Sequence, residues 1–396
     1  MFRTYFTNKL LWIGLGLISL LACIFTFAFM GSTVNPTPKE LPIGIVLEDD
    51  GVQLPNGEEL NFGEKLSEQI KNNDSTSVEW ILYETEKDAL EEMKNKEVYG
   101  TLILSKDLSK NVYSLLTNTP TKPVIKTYLN EGMNMTGANV ASQITAGVTN
   151  QFNQQIQEQL YNRIDEVKAP ISSDLAKLLA NPISVTTEKI NPIGENSANG
   201  NTPALFTQLL WLTTFFSSMI LFTIVNKVTG GKWSLTSIGS QLLSGTLFVT
   251  SISIIILLLT ENLLNVAIPN SSDMLLLMIF TGLCFFFIQN ALLNWVGYPA
   301  APLIILLFFF SMPVLTMAPE MLPTITHDWL YSWVPFRFSV EGFKDFLFFK
   351  KEIFEEGVGT LGIIGLSSLL LIGLSILKPA KKTNNKTEKK QKTVAI

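Results

Sequence analysis

Residues 204–259 read ALFTQLLWLTTFFSSMILFTIVNKVTGGKWSLTSIGSQLLSGTLFVTSISIIILLL. Two blocks, Ala204–Val225 and Leu242–Leu259, carry no charged residue and flank the polar, glycine-broken stretch Asn226–Gln241. A helix needs about 20 apolar residues to cross the hydrocarbon core of a bilayer, so the pair reads as two membrane spans joined by a polar connection. The sixteen residues of that connection are enough for a short helical crossbar against the membrane face, with Trp233 at interfacial depth.

Working outward, further apolar blocks occupy Leu10–Met30, Met274–Trp295, Ala301–Met317 and Leu361–Leu377. The 396-residue chain is 47% hydrophobic and only 16% charged, a balance that fits several spans better than a soluble core. The predicted fold class is an α-helical integral membrane protein of about six transmembrane helices, with an extracellular α/β domain and a long helix inserted between helices 1 and 2. The expected divisions are residues 1–30 (N-terminus and first helix), 31–203 (extracellular part and linker), 204–377 (five-helix domain) and 378–396 (Lys-rich tail). Within the five-helix part, the crossbar is 226–241 and an outer re-entrant loop covers 318–358.

Orientation follows the basic flanks. Arg3 and Lys9 precede the first span, Lys227 and Lys232 lie between the second and third, and the tail carries Lys378, Lys381, Lys382, Lys386, Lys389, Lys390 and Lys392. Alternating helices put all of these on one side, which the positive-inside rule makes cytoplasmic. Both termini are then inside, and residues 31–203 are outside. The net charge of −5 conceals the asymmetry, because residues 31–203 hold 14 Lys/Arg against 24 Asp/Glu. The first block exceeds the apolar length of a signal peptide, and Ala28-Phe29-Met30-Gly31 is a poor cleavage site, so an uncleaved anchor is expected. The tail reads as solvated and attracted to anionic lipid, or as a partner site.

From Leu41, β-like runs alternate with helical ones: Ile43–Leu47, Leu60–Ile70, Val78–Tyr83, Lys87–Lys94, Tyr99–Leu104 and Val124–Leu129. These predict a small α/β sandwich. Glu48-Asp49-Asp50-Gly51 reads as a turn and not a calcium loop, since EF-hand spacing fails. A helix is predicted over Thr136–Val167, with Val140, Ile144, Val148, Phe152, Ile156, Leu160 and Ile164 at every fourth residue. A period of 4.0 advances the stripe by about 40° per step, so it winds around the rod and one flat partner cannot cover it. Either this chain covers it all, or a second helix, such as one from another copy, covers one end. Asn181–Pro203, rich in Asn, Pro, Ser, Thr and Gly, reads as a linker.

Little points to chemistry. Gly231-Lys232 has Asn226 where a phosphate-binding loop needs its first glycine, so no ATP loop is encoded. His327 is the single histidine, and Cys23 and Cys284 lie in apolar blocks, which leaves no His/Cys metal set, no disulfide framework and no catalytic constellation. No cofactor or metal on this chain and no nucleic-acid partner are expected. Mid-span charges are lacking, which argues against an ion-coupled pump. The helices instead carry neutral polar residues: Thr213, Thr214, Ser217 and Ser218, then Ser244, Thr250 and Ser251, then Gln289, Asn290 and Asn294. Asn290 and Asn294 share one helix face, either as interhelical glue or as a polar path for substrate groups. The stretch Pro319–Phe349 is too aromatic for a free loop, yet Pro319, Pro323 and Pro335 break it, which predicts half-helices dipping into the interface.

Several of these segments resemble the membrane subunits of type-2 ABC exporters, and within them the phage-infection-protein (YhgE/Pip) branch. The resemblance rests on one span, an outer insertion and five further spans; on EKDALEEMKNKEVYGTLILSKDL at Glu86–Leu108; and on NPIGENSANGNTPALFTQLLWL at Asn191–Leu212. The run with Pro319, Leu322-Pro323, Trp329, Pro335 and Arg337, followed by Val340-Glu341-Gly342-Phe343-Lys344, is similar to the superfamily's outer gate; Lys344 stands where an Arg is common. The resemblance implies a permease that forms a homo- or heterodimer in a bacterial cell membrane, driven by separate ABC ATPase subunits that bind ATP and magnesium. Met1–Leu10 and the crossbar, with Lys227, Gly230, Gly231, Lys232 and Trp233, would couple to them. The expected function is outward movement of a hydrophobic or amphipathic substrate; the alternative is a cell-surface receptor or a secretion or assembly accessory protein. The Lys- and Asn-rich style fits a low-GC, Gram-positive bacterium.

Overall fold

The computed structural model describes residues 38–378 apart from 55–56, 72–75, 118, 168–171 and 354–355, together with Ile13 and Ser19. The expected first span, the N-terminal coupling segment, Cys23 and the tail from Pro379 otherwise lie outside the described residues. The chain forms two compact units: one takes 38–202 together with Met312–Trp333 and Leu347–Lys350, the other Pro203–Ser311, Val334–Phe346 and the chain from Lys351.

The first unit is built on a five-stranded sheet. Its strands are β1 (Leu41–Leu47), β4 (Val78–Tyr83), β5 (Gly100–Leu104), β6 (Val124–Asn130) and β7 (Ser184–Ile190), in the order β4-β1-β5-β6-β7. All neighbours run parallel except β5 and β6. Two short strands, β2 (Val52–Gln53) and β3 (Glu59–Leu60), make a separate hairpin. The helices are α1 (Phe62–Lys71), α2 (Glu86–Lys94), α3 (Leu108–Ser114), α4 (Met135–Val167) and α5 (Ser173–Ala180). Parallel strands of Leu, Ile and Val need cover on both faces. Ile45, Leu102, Leu104 and Ile125 meet α1, α3, α4 and α5 on one side, while Val46, Ile103 and Tyr128 meet Ala89 and Met93 of α2 on the other.

Asp49 shows why the acidic turn is structural. Its carboxylate accepts from Gly63 N at 3.0 Å, at the start of α1, and from Ser109 N at 2.9 Å, at the start of α3. The Ser109 hydroxyl in turn accepts from Phe62 N at 2.8 Å. One carboxylate thus caps two helices, whose first amides have no intrahelical acceptor.

Two sequence expectations change here. Ser184–Ile190 is an edge strand, not linker: SVTTEKI shows no apolar alternation because its residues are mostly exposed, yet all seven pair with β6. The linker shrinks to about residues 191–201, where Asn191, Asn196, Ala198 and Asn199 adopt positive φ. On α4, the buried stripe follows Phe152, Ile156, Leu160 and Ile164 at the C-terminal end, but shifts to Ala138, Ala141, Thr145 and Thr149 nearer the start. Val140, Ile144 and Val148 are only half-buried, as a stripe that winds away from its cover requires.

Among the described residues, the second unit holds four helices long and apolar enough to cross a membrane: α6 (Thr202–Thr229), α7 (Leu235–Leu258, continued by a π turn to Leu263), α8 (Ser271–Val296) and α12 (Glu356–Leu374). At 1.5 Å per residue, the 26 residues of α8 span about 39 Å, more than the hydrocarbon core. The apolar run Ala301–Met317, expected as one span, is instead α9 (Ala300–Phe310) of this unit and α10 (Met312–Thr316) of the first, divided where Pro313 offers no N–H. A further helix, α11, covers Pro335–Phe348. Helices cross closely at glycines: a Cβ on Gly282 of α8 would stand 2.7 Å from Val249 Cγ1 of α7, and one on Gly365 of α12 would stand 2.7 Å from Cys284 Sγ of α8.

Candidate functional site

Five polar residues of the membrane helices, Ser218, Gln241, Gln289, Asn290 and Asn294, form one buried network. Gln289 donates to Trp211 O at 3.0 Å and accepts from the Ser218 hydroxyl at 3.2 Å. Asn290 donates to Ser218 Oγ and to Phe286 O, each at 2.8 Å, and accepts from Gln241 Nε2 at 2.8 Å. Asn294 donates to Gln241 Oε1 at 3.1 Å. All five side chains are buried, and the chain of bonds runs α6–α8–α7. Bilayer hydrocarbon offers no substitute partner, so each bond formed between helices replaces a costly orphan. The neutral set can hold helices; it contains no carboxylate, imidazole or amine.

Ser218, Asn290 and Asn294 of the expected polar set therefore share this network. Thr213, Thr214 and Ser217 do not: each hydroxyl donates to a carbonyl one turn earlier on α6, namely Leu209, Leu210 and Thr213. Gln241, the last residue of the expected crossbar, is instead buried and bonds both Asn290 and Asn294. Its only sequence signal is a lone amide at the head of an apolar block.

The crossbar is corrected too. Residues 226–229 complete the last turn of α6, and Ser234 caps α7 by a reciprocal bond pair with Ser237, so only Gly230–Ser234 connects the helices. Gly230 and Gly231 both take positive φ, 64° and 80°, which ends α6 in a turn that side chains with a Cβ resist. Lys227 and Lys232 are exposed. Trp233 is anchored: its ring stacks on Phe222, 6.1 Å between centroids, and packs against Ile238, Ala291 and Ile372. Nearby, Lys378 Nζ donates to Asn294 O and Trp295 O at 2.9 and 2.7 Å, closing the C-terminal end of α8.

The expected gate residues divide between the units. Pro335, Arg337 and Lys344 belong to α11 in the second; Arg337 lies over the Phe338 ring and Lys344 pairs with Glu341 at 3.4 Å. Pro319, Leu322, Pro323 and Trp329 belong to the first, where the segment 312–333 is clasped by the α/β part. Glu320 accepts from Tyr99 OH at 2.7 Å, Glu320 O accepts from Lys39 N at 3.0 Å, and Asn134 Nδ2 donates to Thr316 O at 3.2 Å. Leu322 is buried, whereas Ile325, Trp329 and Trp333 are exposed. His327 is exposed and pairs with Asp328. Tyr99, Glu320, Lys39 and Asn134 escaped sequence reading, because 221 residues separate Tyr99 from Glu320.

A family model described as ABC-2 family transporter protein matches residues 9–377. An uncharacterized protein, YhgE of Bacillus subtilis (strain 168), is 26% identical over 172 residues, which is 42% of this chain and 22% of that protein's own length. No solved structure matches. The match runs through the α/β unit and the membrane helices alike, and the YhgE likeness agrees with the branch expected from the sequence. This chain is a membrane component of an ABC-2 type transporter and belongs to the ABC-2 transporter family.

Proposed function

We propose that the chain is the permease subunit of an ATP-driven exporter that moves a hydrophobic or amphipathic substrate outward, with ATP and magnesium bound by partner ABC ATPase subunits. The observation that carries this reading is the turn Gly230–Ser234. It joins two membrane helices, carries exposed Lys232 beside exposed Lys227 at the end of α6, and is tied through Trp233 to α6, α8 and α12, with Gln241 fastening α7 to α8 two turns further on. A push delivered there would be passed to several helices and not absorbed by a loose loop. In this reading the turn and both chain ends are cytoplasmic, and the α/β unit is extracellular. The exposed Ile325, Trp329 and Trp333 rest at headgroup depth, where aromatic rings partition favourably. A dimer of permease subunits encloses the path.

The experiment is co-purification with the candidate ATPase, followed by ATP hydrolysis in lipid vesicles. The expected result is a stable complex whose hydrolysis falls when Gly230 and Gly231 are replaced by alanine. Failure to form a complex, or hydrolysis indifferent to the two substitutions, would overturn the proposal. The surface-receptor alternative has less support, since the family match covers the helices as well as the α/β part.

A further inference from the structure

An open groove of about 750 Å³ runs along α4 where α1 and β4 lie beside it. This is the size of a small-molecule site. Gln151, Gln155 and Gln159 of α4 line it at intervals of four residues, a ladder of amides about 6 Å apart along the helix axis. Gln69 of α1 reaches across the groove and donates to Gln155 Oε1 at 2.9 Å. Trp80 of the edge strand β4 contributes an aromatic surface. The same indole also lines a second hollow of about 280 Å³, so it is half-buried and open to contact.

The lining decides the class of guest. Among the described residues, Glu68 and Glu158 face the groove against one cation, Lys65, which disfavours polyanions. Among the described residues no group of three or more His, Cys, Asp or Glu is placed to hold a metal ion. An apolar guest would strip water from the carboxamides and return no hydrogen bonds, which is costly. Carboxamides both donate and accept, as hydroxyl groups do, and an indole face packs against the C–H face of a sugar ring. We infer that this groove binds a neutral, hydroxyl-rich chain: an oligosaccharide. The inference concerns the α/β unit alone and does not rest on the transport reading.

The test is calorimetric titration of the full chain in a detergent without a sugar headgroup. Chitotetraose and maltotetraose are the neutral probes, and tetragalacturonic acid is the anionic one. Saturable binding of a neutral probe is expected, weakened about tenfold or more in the Gln151→Ala/Gln159→Ala variant and unchanged in Gln143→Ala, elsewhere on α4. The bound probe should shift tryptophan emission in the parent protein and not in Trp80→Phe. All exchanged glutamines are at least partly exposed, and unfolding temperatures confirm that the variants fold. Absence of saturable heat with both neutral probes, equal affinity in the double variant, or equal binding of the acid would overturn the proposal. So would a dimer that the double variant separates, which would assign the groove to a second copy of the chain.

Discussion

Gln241 and Asn294 exchange side-chain hydrogen bonds across two membrane helices, Asn294 Nδ2 donating to Gln241 Oε1 at 3.1 Å and Gln241 Nε2 to Asn294 Oδ1 at 3.3 Å. Gln241 sits seven residues beyond Ser234, so the fastening of α7 to α8 begins close to the connecting turn. Replacing Gln241 by leucine removes the side-chain bonds of Asn294 and the donor to Asn290 Oδ1, while Asn290 keeps Ser218 and Phe286 O. The expected loss is about 1 kcal/mol, in the range found for interhelical bonds in bilayers. Reversible unfolding in mixed micelles measures it, and a cycle with Asn294→Leu should give a non-zero coupling energy.

The glycine crossings give a larger effect. A Cβ on Gly245 would run into the Phe286 ring, and one on Gly365 would press on Cys284 Sγ. Gly245→Val and Gly365→Val should each destabilise the helix unit by about 1–3 kcal/mol through overpacking. Gly239→Val, where nothing stands within 4 Å of the added carbon, should cost far less. Thermal loss of monodisperse protein in detergent separates the three.

Asp49 caps α1 and α3 together. Asp49→Ala removes acceptors from two helix starts and should cost about 1–3 kcal/mol, with Asp49→Asn intermediate because it keeps one oxygen. Calcium should leave the melting temperature unchanged, since the carboxylate already serves protein donors. A calcium-dependent rise would refute the structural role.

Glu86 supplies a pH dependence. Burial works to raise its pKa, but hydrogen bonds from Tyr128 (2.6 Å) and Lys126, together with the Lys126 charge, outweigh burial and hold it below the usual glutamate value. A depressed folded pKa stabilises the native state above the unfolded value, about 4.3, and the contribution is lost as pH falls through the folded one. Glu86→Gln should therefore flatten the acid limb of the stability curve below about pH 4.5 while lowering the neutral plateau. Chemical denaturation at several pH values reads both effects.

The clasp on residues 312–333 should be visible in amide exchange. Tyr99→Phe and Glu320→Gln each weaken the 2.7 Å bond that holds the segment. Faster exchange at Met321 and Leu322, with the sheet unchanged, is the expected outcome; equal loss of protection throughout β1 and β5 would mean a general fold defect.

How much of this was legible in the sequence depended on where each signal is stored. Val78–Tyr83 and Val124–Asn130 were readable because β-branched and aromatic residues crowd short runs, and the helix over residues 135–167 because its apolar residues recur every turn. Ser184–Ile190 was hidden: its stability comes from backbone pairing at a sheet edge, and its side chains face water. Pro313 does announce the break in the fifth apolar run, but composition outvoted it. The amides of α8 were conspicuous in an apolar block, yet their partner Gln241 was not, since one amide at the head of a helix looks like an interfacial residue. The Tyr99–Glu320 contact could not be read from either segment, because each half is unremarkable without the other.

The clasp also fixes what can be swapped between relatives. A graft that moves residues 31–203 alone into another chain would strand Tyr99 and Asn134 opposite a foreign ribbon and leave Glu320 and Thr316 behind in the donor. The heritable module is therefore a split one, whose two pieces must travel together across more than a hundred intervening residues that fold into the other unit.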